Sequence, residues 1–139
     1  MNQQIANAKS KIVGVVPPRS LFALIAHQYR LSEPELRHIR TLVPADALAV
    51  DVGAWWGPWT YWLSRTAKQV VTCEPVPHLA GFIGEVAPDN VRVFNVALSD
   101  RSGEASFWLP VGGPGTEGRS SLEAPRPDEA RREIRVRTT

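Results

Sequence analysis

The stretch Asp51-Val-Gly-Ala-Trp-Trp-Gly-Pro-Trp-Thr60 constrains this chain more than any other. It overlaps the end of a short apolar run, Leu48 to Val52, whose β-branched members and following Gly53 mark a buried strand. Pro58 then opens a helix that the spacing predicts over 58–68, with Trp59, Trp62 and Leu63 on one apolar face. Glycine at 53 lets the backbone turn sharply past the strand end and leaves room for a ligand, and Gly57 lets helix and strand pack closely. The helix N-terminus that follows presents free N–H groups, which suit a carboxylate or a phosphate. Turns of small residues also serve packing alone, and both roles stay open at this point.

The same alternation continues. Residues 69–73 read as a second strand ended by Glu74-Pro75, 78–86 as a helix closed by Pro88, and 91–97 as a third strand. A β-α-β-α-β order with short connections predicts an α/β fold, a parallel sheet with helices on both faces. Further on, Ser102-Gly103 is a turn and 104–109 alternates as a strand. Residues 110–130, rich in Gly, Pro, Ser and charge, read as a mobile loop, and 133–137 as the start of another strand. Ahead of the first strand, 1–18 reads as a weakly amphipathic helix closed by Pro17-Pro18, and Leu21 to Tyr29 as a second. Ser32-Glu-Pro-Glu35 starts a third. Two parts result: a helical cap over 1–45 and an α/β part over 46–139.

Charge and composition exclude several classes. The 139 residues carry 16 Lys and Arg against 14 Asp and Glu, and the basic surplus sits near the ends, where Glu123, Asp128, Glu129 and Glu133 dilute it. That pattern describes a solvated surface, not the concentrated basic face of a nucleic-acid binder. Cys73 is alone, which excludes an internal disulfide and a cysteine metal cluster, and His27, His38 and His78 lack metal-ligand spacing. No apolar run approaches about 18 residues, so no membrane span is expected. Ile12 to Val16 is too short for the core of a signal peptide, and a cytoplasmic location is expected.

Glu74 stands about 20 residues beyond the glycine turn, where an acidic side chain at a strand end accepts hydrogen bonds from two ribose hydroxyls. A plain surface glutamate is the alternative. Asp51 ends its own strand and would sit poorly in an apolar core. It is expected to accept hydrogen bonds from the glycine-turn backbone or from a ligand amino group.

In order, Asp51-Val-Gly-Ala-x-x-Gly-x-x-Thr60, Cys73-Glu-Pro75, Asn95-Val-Ala-Leu-Ser-Asp100 and Gly103-Glu104 resemble the N-terminal half of FkbM-type S-adenosylmethionine (SAM) methyltransferases. Ser120-Ser-Leu122 and the strand Ile134 to Thr138 extend the resemblance, which covers about residues 46–138. It implies a Rossmann-like class I methyltransferase sheet and methyl transfer to a hydroxyl, often of a sugar or polyketide. By the same resemblance Asp51, Gly53, Ala54 and Gly57 would line the methionine side of SAM. Glu74 would hold the ribose, and Val96 and Ala97 would flank the adenine. Trp55-Trp56 stands where the family often has Asn and an aliphatic residue, which removes one polar contact and narrows the pocket.

The resemblance also implies a further strand bearing an Ile-Asp-Val-Glu-Gly-like motif beside the acceptor, and nothing in the sequence matches it. The expected fold is therefore an incomplete sheet of three strands plus a following hairpin or strand, preceded by helices. No general base is assigned; His38 and His78 are candidates only in principle. In such sheets the first strand is central, so without that neighbour it becomes an apolar edge. The expectation is weak SAM binding or none, and a complementing C-terminal chain or a homo-oligomer to complete the site. Two further readings stay open: an NAD-type dinucleotide-binding oxidoreductase fragment, and a non-catalytic split-gene or interaction fragment.

Overall fold

The computed structural model describes residues 16–112 and 116–139. The expected helix over 1–18 lies almost wholly outside them. Helix α1, Pro18–Ser32, is followed by a 3-10 turn, Pro34–Arg37, and a single-turn helix α2, Ile39–Leu42. Then come β1 (Leu48–Val52), α3 (Pro58–Leu63), β2 (Gln69–Cys73), α4 (Pro77–Val86) and β3 (Val91–Phe94). A long hairpin of β4 (Gly103–Pro110) and β5 (Arg131–Thr138) follows, with a 3-10 turn at Glu117–Arg119 between its strands. Proline opens α1, α3 and α4 at the position whose N–H would be unused in any case.

The result is an α/β domain with two small separate sheets. In the first, β1, β2 and β3 run parallel in that order, with Val50 opposite Val71 and Val71 opposite Arg92. In the second, β4 and β5 pair antiparallel, with Phe107 opposite Ile134. Of the hairpin or single strand expected after the first three strands, the chain forms the hairpin. A parallel bridge of Ala97 with Thr138, and the 2.8 Å hydrogen bond from Ala97 N–H to the Arg137 carbonyl, tie the hairpin to the chain leaving β3.

Three boundaries differ from the sequence expectation, each for a local reason. Helix α3 ends at Leu63, not 68, because side chains take its last carbonyls. Ser64 Oγ and Arg65 Nη1 both donate to the Tyr61 carbonyl, and Thr66 Oγ1 donates to that of Trp62. Strand β3 stops at Phe94 because the Asn95 amide donates to the carbonyls of Glu74 and Pro75, at 2.8 and 2.9 Å, and draws the chain off the ladder. The segment expected as a mobile loop is pinned in its described part. Trp108 and Ser121 exchange both backbone hydrogen bonds, at 2.8 and 3.1 Å, and Arg131 donates to the Arg119 carbonyl.

The two faces of the parallel sheet differ. On one, Ala49, Val70 and Val91 pack with Leu36, Ile39, Leu63 and Ala67. The N-terminal helices share this interior: Leu21 and Ile25 join a cluster with Trp55, Leu79, Phe107, Leu109 and Val136, and Phe22 and Ala26 pack with Tyr61 and Val86. On the other face Leu48, Val50 and Val52 are each more than half exposed, and Phe94 is 47% exposed. Parallel sheets are ordinarily covered on both faces. The expectation of helices on both sides is therefore unmet among the described residues. Strand β1 also lies at the sheet edge, as the sequence reading expected.

Candidate functional site

The carboxyl ends of β1 and β2 carry the polar residues singled out from sequence, and a turn closes over them. Gly53 has φ +71° and an open surrounding, with no atom within 4 Å of where a Cβ would stand. Gly57, at φ +77°, is packed: a Cβ there would lie 2.7 Å from Phe22 Cε2 and 3.2 Å from Ile83 Cγ1. The two glycines therefore do different work, Gly53 leaving space and Gly57 letting α1 and α4 approach the turn. Ala54 is buried, and its carbonyl accepts the Gly57 N–H at 2.8 Å, closing the turn. Trp55 sits within that turn at φ +55°, a left-handed conformation that costs a non-glycine residue roughly 1–2 kcal/mol.

Asp51 is 8% exposed and accepts the Thr60 hydroxyl at 2.5 Å, and Thr60 Oγ1 in turn lies 3.1 Å from Thr72 Oγ1. Burial pushes the Asp51 carboxyl above its ordinary range, while hydrogen bonds from the Thr60 side chain and backbone pull it back in part. The expectation that Asp51 accepts from the glycine-turn backbone is replaced by this threonine pair. It also alters the reading of the α3 N-terminus. That helix has six residues, Pro58 has no N–H, and the Thr60 backbone already serves Asp51, so no free array of donors awaits an anion.

Glu74 is 3% exposed. Its Oε2 accepts the Trp55 N–H at 2.6 Å and its Oε1 accepts the Val76 N–H at 2.8 Å. Burial raises its pKa, those two amide hydrogen bonds oppose the rise, and the negative charges of Asp51 and Glu117 add to it. The surface-glutamate alternative does not describe a carboxylate so enclosed. Its hydrogen bonds, however, go to this chain's own backbone.

A cleft of about 310 Å³ opens at the same end of the sheet. Val52, Gly53, Cys73 and Pro75 form one side, Val96, Ala97 and Leu98 a second, and Phe107 with Ser120, Ser121 and Leu122 the third. The structure thus brings Gly53, Val96 and Ala97 onto one cleft. It leaves Asp51, Ala54, Gly57 and Glu74 off the lining, although Glu74 lies in sequence between two lining residues. Cys73 is buried, and burial together with Asp51 raises its pKa, so its thiol stays protonated. His78 is exposed on the outside, 3.8 Å from Glu117, and neither it nor His38 lines the cleft.

Sequence reasoning missed the Thr60–Thr72 contact and the Ser120–Leu122 wall. Thr60 stands within the motif, but a hydroxyl's partner cannot be read from spacing. A larger cavity, about 550 Å³, lies at the far ends of α3 and α4, lined in part by Arg19, Phe22, Tyr61, Arg65 and Asp89. There Arg65 stacks 3.4 Å over the Tyr61 ring and donates to the carbonyl at the end of α3, a structural use of its charge. None of the predicted site residues borders it.

Fold and site together define an α/β domain of two small sheets with a cleft at the carboxyl ends of its parallel strands. No family model, curated protein or solved structure matches the chain. Among the described residues no helix is long and apolar enough to cross a membrane, and no group of His, Cys, Asp or Glu is placed to hold a metal ion.

Proposed function

We propose that this chain carries the cofactor-binding part of a SAM-dependent methyltransferase of FkbM type, acting on a hydroxyl of a sugar or another small molecule. The observation that carries the reading is convergence. Gly53, Val96 and Ala97, separated by more than forty residues in sequence, line one cleft, and Asp51 and Glu74 stand at the ends of the strands that frame it. In open parallel sheets, ligands bind outside the carboxyl ends of the strands.

Bound SAM would supply an electrophilic methyl group on a sulfonium. This chain's residues would bind and orient it. Val96 and Ala97 offer a narrow apolar wall for the adenine, Gly53 allows close approach of backbone to ligand, and Glu74 is the acceptor for the ribose hydroxyls. Among the described residues, no side chain lining the cleft is a base suited to the acceptor proton. Methyl transfer would therefore require groups from further polypeptide, and the bare sheet face and free β1 edge supply a place for a complementing segment or a second copy.

Calorimetric titration with S-adenosylhomocysteine, with NAD as the control, tests the reading. Saturable binding of the first, lost in Glu74→Ala, supports it. Tighter binding of NAD replaces it with the dinucleotide-binding alternative.

A further inference from the structure

Glu74 is placed for a ligand and closed to it at once. Its neighbours Cys73 and Pro75 both line the cleft, yet its carboxylate turns away beneath the glycine turn and is almost wholly buried. Trp55 takes part in that closure. Its backbone N–H holds Glu74 Oε2, the residue as a whole is 9% exposed, and its ring is tilted against Tyr29 with centroids 5.2 Å apart. The Glu117–Arg119 turn rests on the indole: a Cβ on Gly118 would stand 3.6 Å from Trp55 Cδ1 and 3.7 Å from Nε1. The same turn places Glu117 where its charge acts on Glu74.

Two amides stabilise the Glu74 charge, but no cation balances it. Among the described residues no Lys, Arg or His forms an ion pair with it, and its nearest charged neighbours are carboxylates. A carboxylate has lone pairs beyond the two used by amides, and in this arrangement no outside hydroxyl reaches them. Trp55 itself holds a backbone conformation that glycine or asparagine adopts more readily. The amide that binds Glu74 thus belongs to a residue poorly suited to its own backbone.

We propose that Trp55 and the Glu117–Arg119 turn form a plug over Glu74, and that a ligand diol reaches the carboxylate only when the indole and the turn have moved aside. The ligand class is a nucleoside with free ribose hydroxyls, and this part rests on the function proposed above. Glu74 then has two states. In the closed one it shapes the glycine turn through the Trp55 amide; in the open one it also accepts from the ligand. Access to the site is set by Trp55, not by the size of the cleft.

The test separates the plug from the cofactor reading. Trp55→Gly removes the indole while keeping the backbone N–H and tolerating its conformation. Trp55→Asn serves the same purpose if the glycine variant fails to fold, as judged by circular dichroism. Carbodiimide labelling of the full chain, read by mass spectrometry, reports the accessibility of Glu74, with exposed Glu104 as the internal control. At least a tenfold rise in Glu74 labelling, at unchanged Glu104 labelling, is expected. Equal Glu74 labelling in the native and variant chains overturns the plug, even where the native chain binds S-adenosylhomocysteine. Titration of the variant with S-adenosylhomocysteine should show at least tenfold tighter binding. Faster labelling without any such binding keeps the plug as a structural device and overturns the assignment of a nucleoside to it.

Discussion

Oε2 of Glu74 accepts the backbone N–H of Trp55 at 2.6 Å across 19 residues of sequence, joining the end of β2 to the turn that follows β1. Through this bond a buried carboxylate fixes the shape of a glycine turn, and Val76 N–H completes the arrangement on Oε1. Replacing Glu74 with Ala leaves two buried N–H groups without an acceptor. A loss of about 2–3 kcal/mol is expected in urea unfolding, with Glu74→Gln losing less because its carbonyl still serves one of them.

Asp51, Thr60 and Thr72 form a second buried polar chain. Thr60→Val keeps the shape and removes the hydroxyl that Asp51 depends on. It should cost about 1–3 kcal/mol, whereas Asp51→Ala combined with Thr60→Val should cost less than the sum of the single changes, since both remove the same contact. A double-mutant cycle of urea unfolding free energies checks this, and strict additivity would refute the coupling.

The two turn glycines should respond differently to alanine. Gly57→Ala meets Phe22 at 2.7 Å and also needs a left-handed alanine, so a loss of about 2–4 kcal/mol follows. Gly53→Ala meets no atom and carries only the conformational cost of about 1 kcal/mol. Thermal or urea unfolding of the two variants should rank them in that order.

Both buried carboxyls, Asp51 and Glu74, have pKa values raised by burial in the folded chain. The folded state therefore binds more protons than the unfolded state above the ordinary carboxylate range, about pH 4. Their contribution to stability is fully present below that range and is lost as pH rises through the raised values. Urea midpoints measured against pH should fall across this window, and Glu74→Gln should flatten the slope.

The bare face of the parallel sheet should bind a hydrophobic dye in the folded state. Val50, at the centre of the edge strand and 55% exposed, is the side chain to change. Val50→Lys should lower dye fluorescence while shifting stability by about 0.5 kcal/mol or less, as for an ordinary surface substitution.

Strands β1 and β2 were legible residue for residue, because short β-branched runs between Gly and Pro have few other ways to fold. The ends of α3 and β3 were not, since they are set by side chains of Ser64, Arg65 and Asn95 competing for backbone groups. The pairing of β4 with β5 across some twenty intervening residues stayed open in the sequence, between a hairpin and a single strand, as long-range register leaves no local mark. At the site, the special backbone of Gly53 followed from its position after a strand. That Glu74 would be spent on the Trp55 amide could not follow from a strand-end glutamate and a glycine turn whose backbone direction the sequence does not state.

The most direct measurement is photo-crosslinking of methyl-labelled SAM to the native chain, followed by peptide mapping. A cofactor cleft at the carboxyl ends of the parallel strands predicts label within 52–54 or 96–98, displaced by S-adenosylhomocysteine and not by NAD. Label confined to other segments, or label that S-adenosylhomocysteine does not displace, would contradict it.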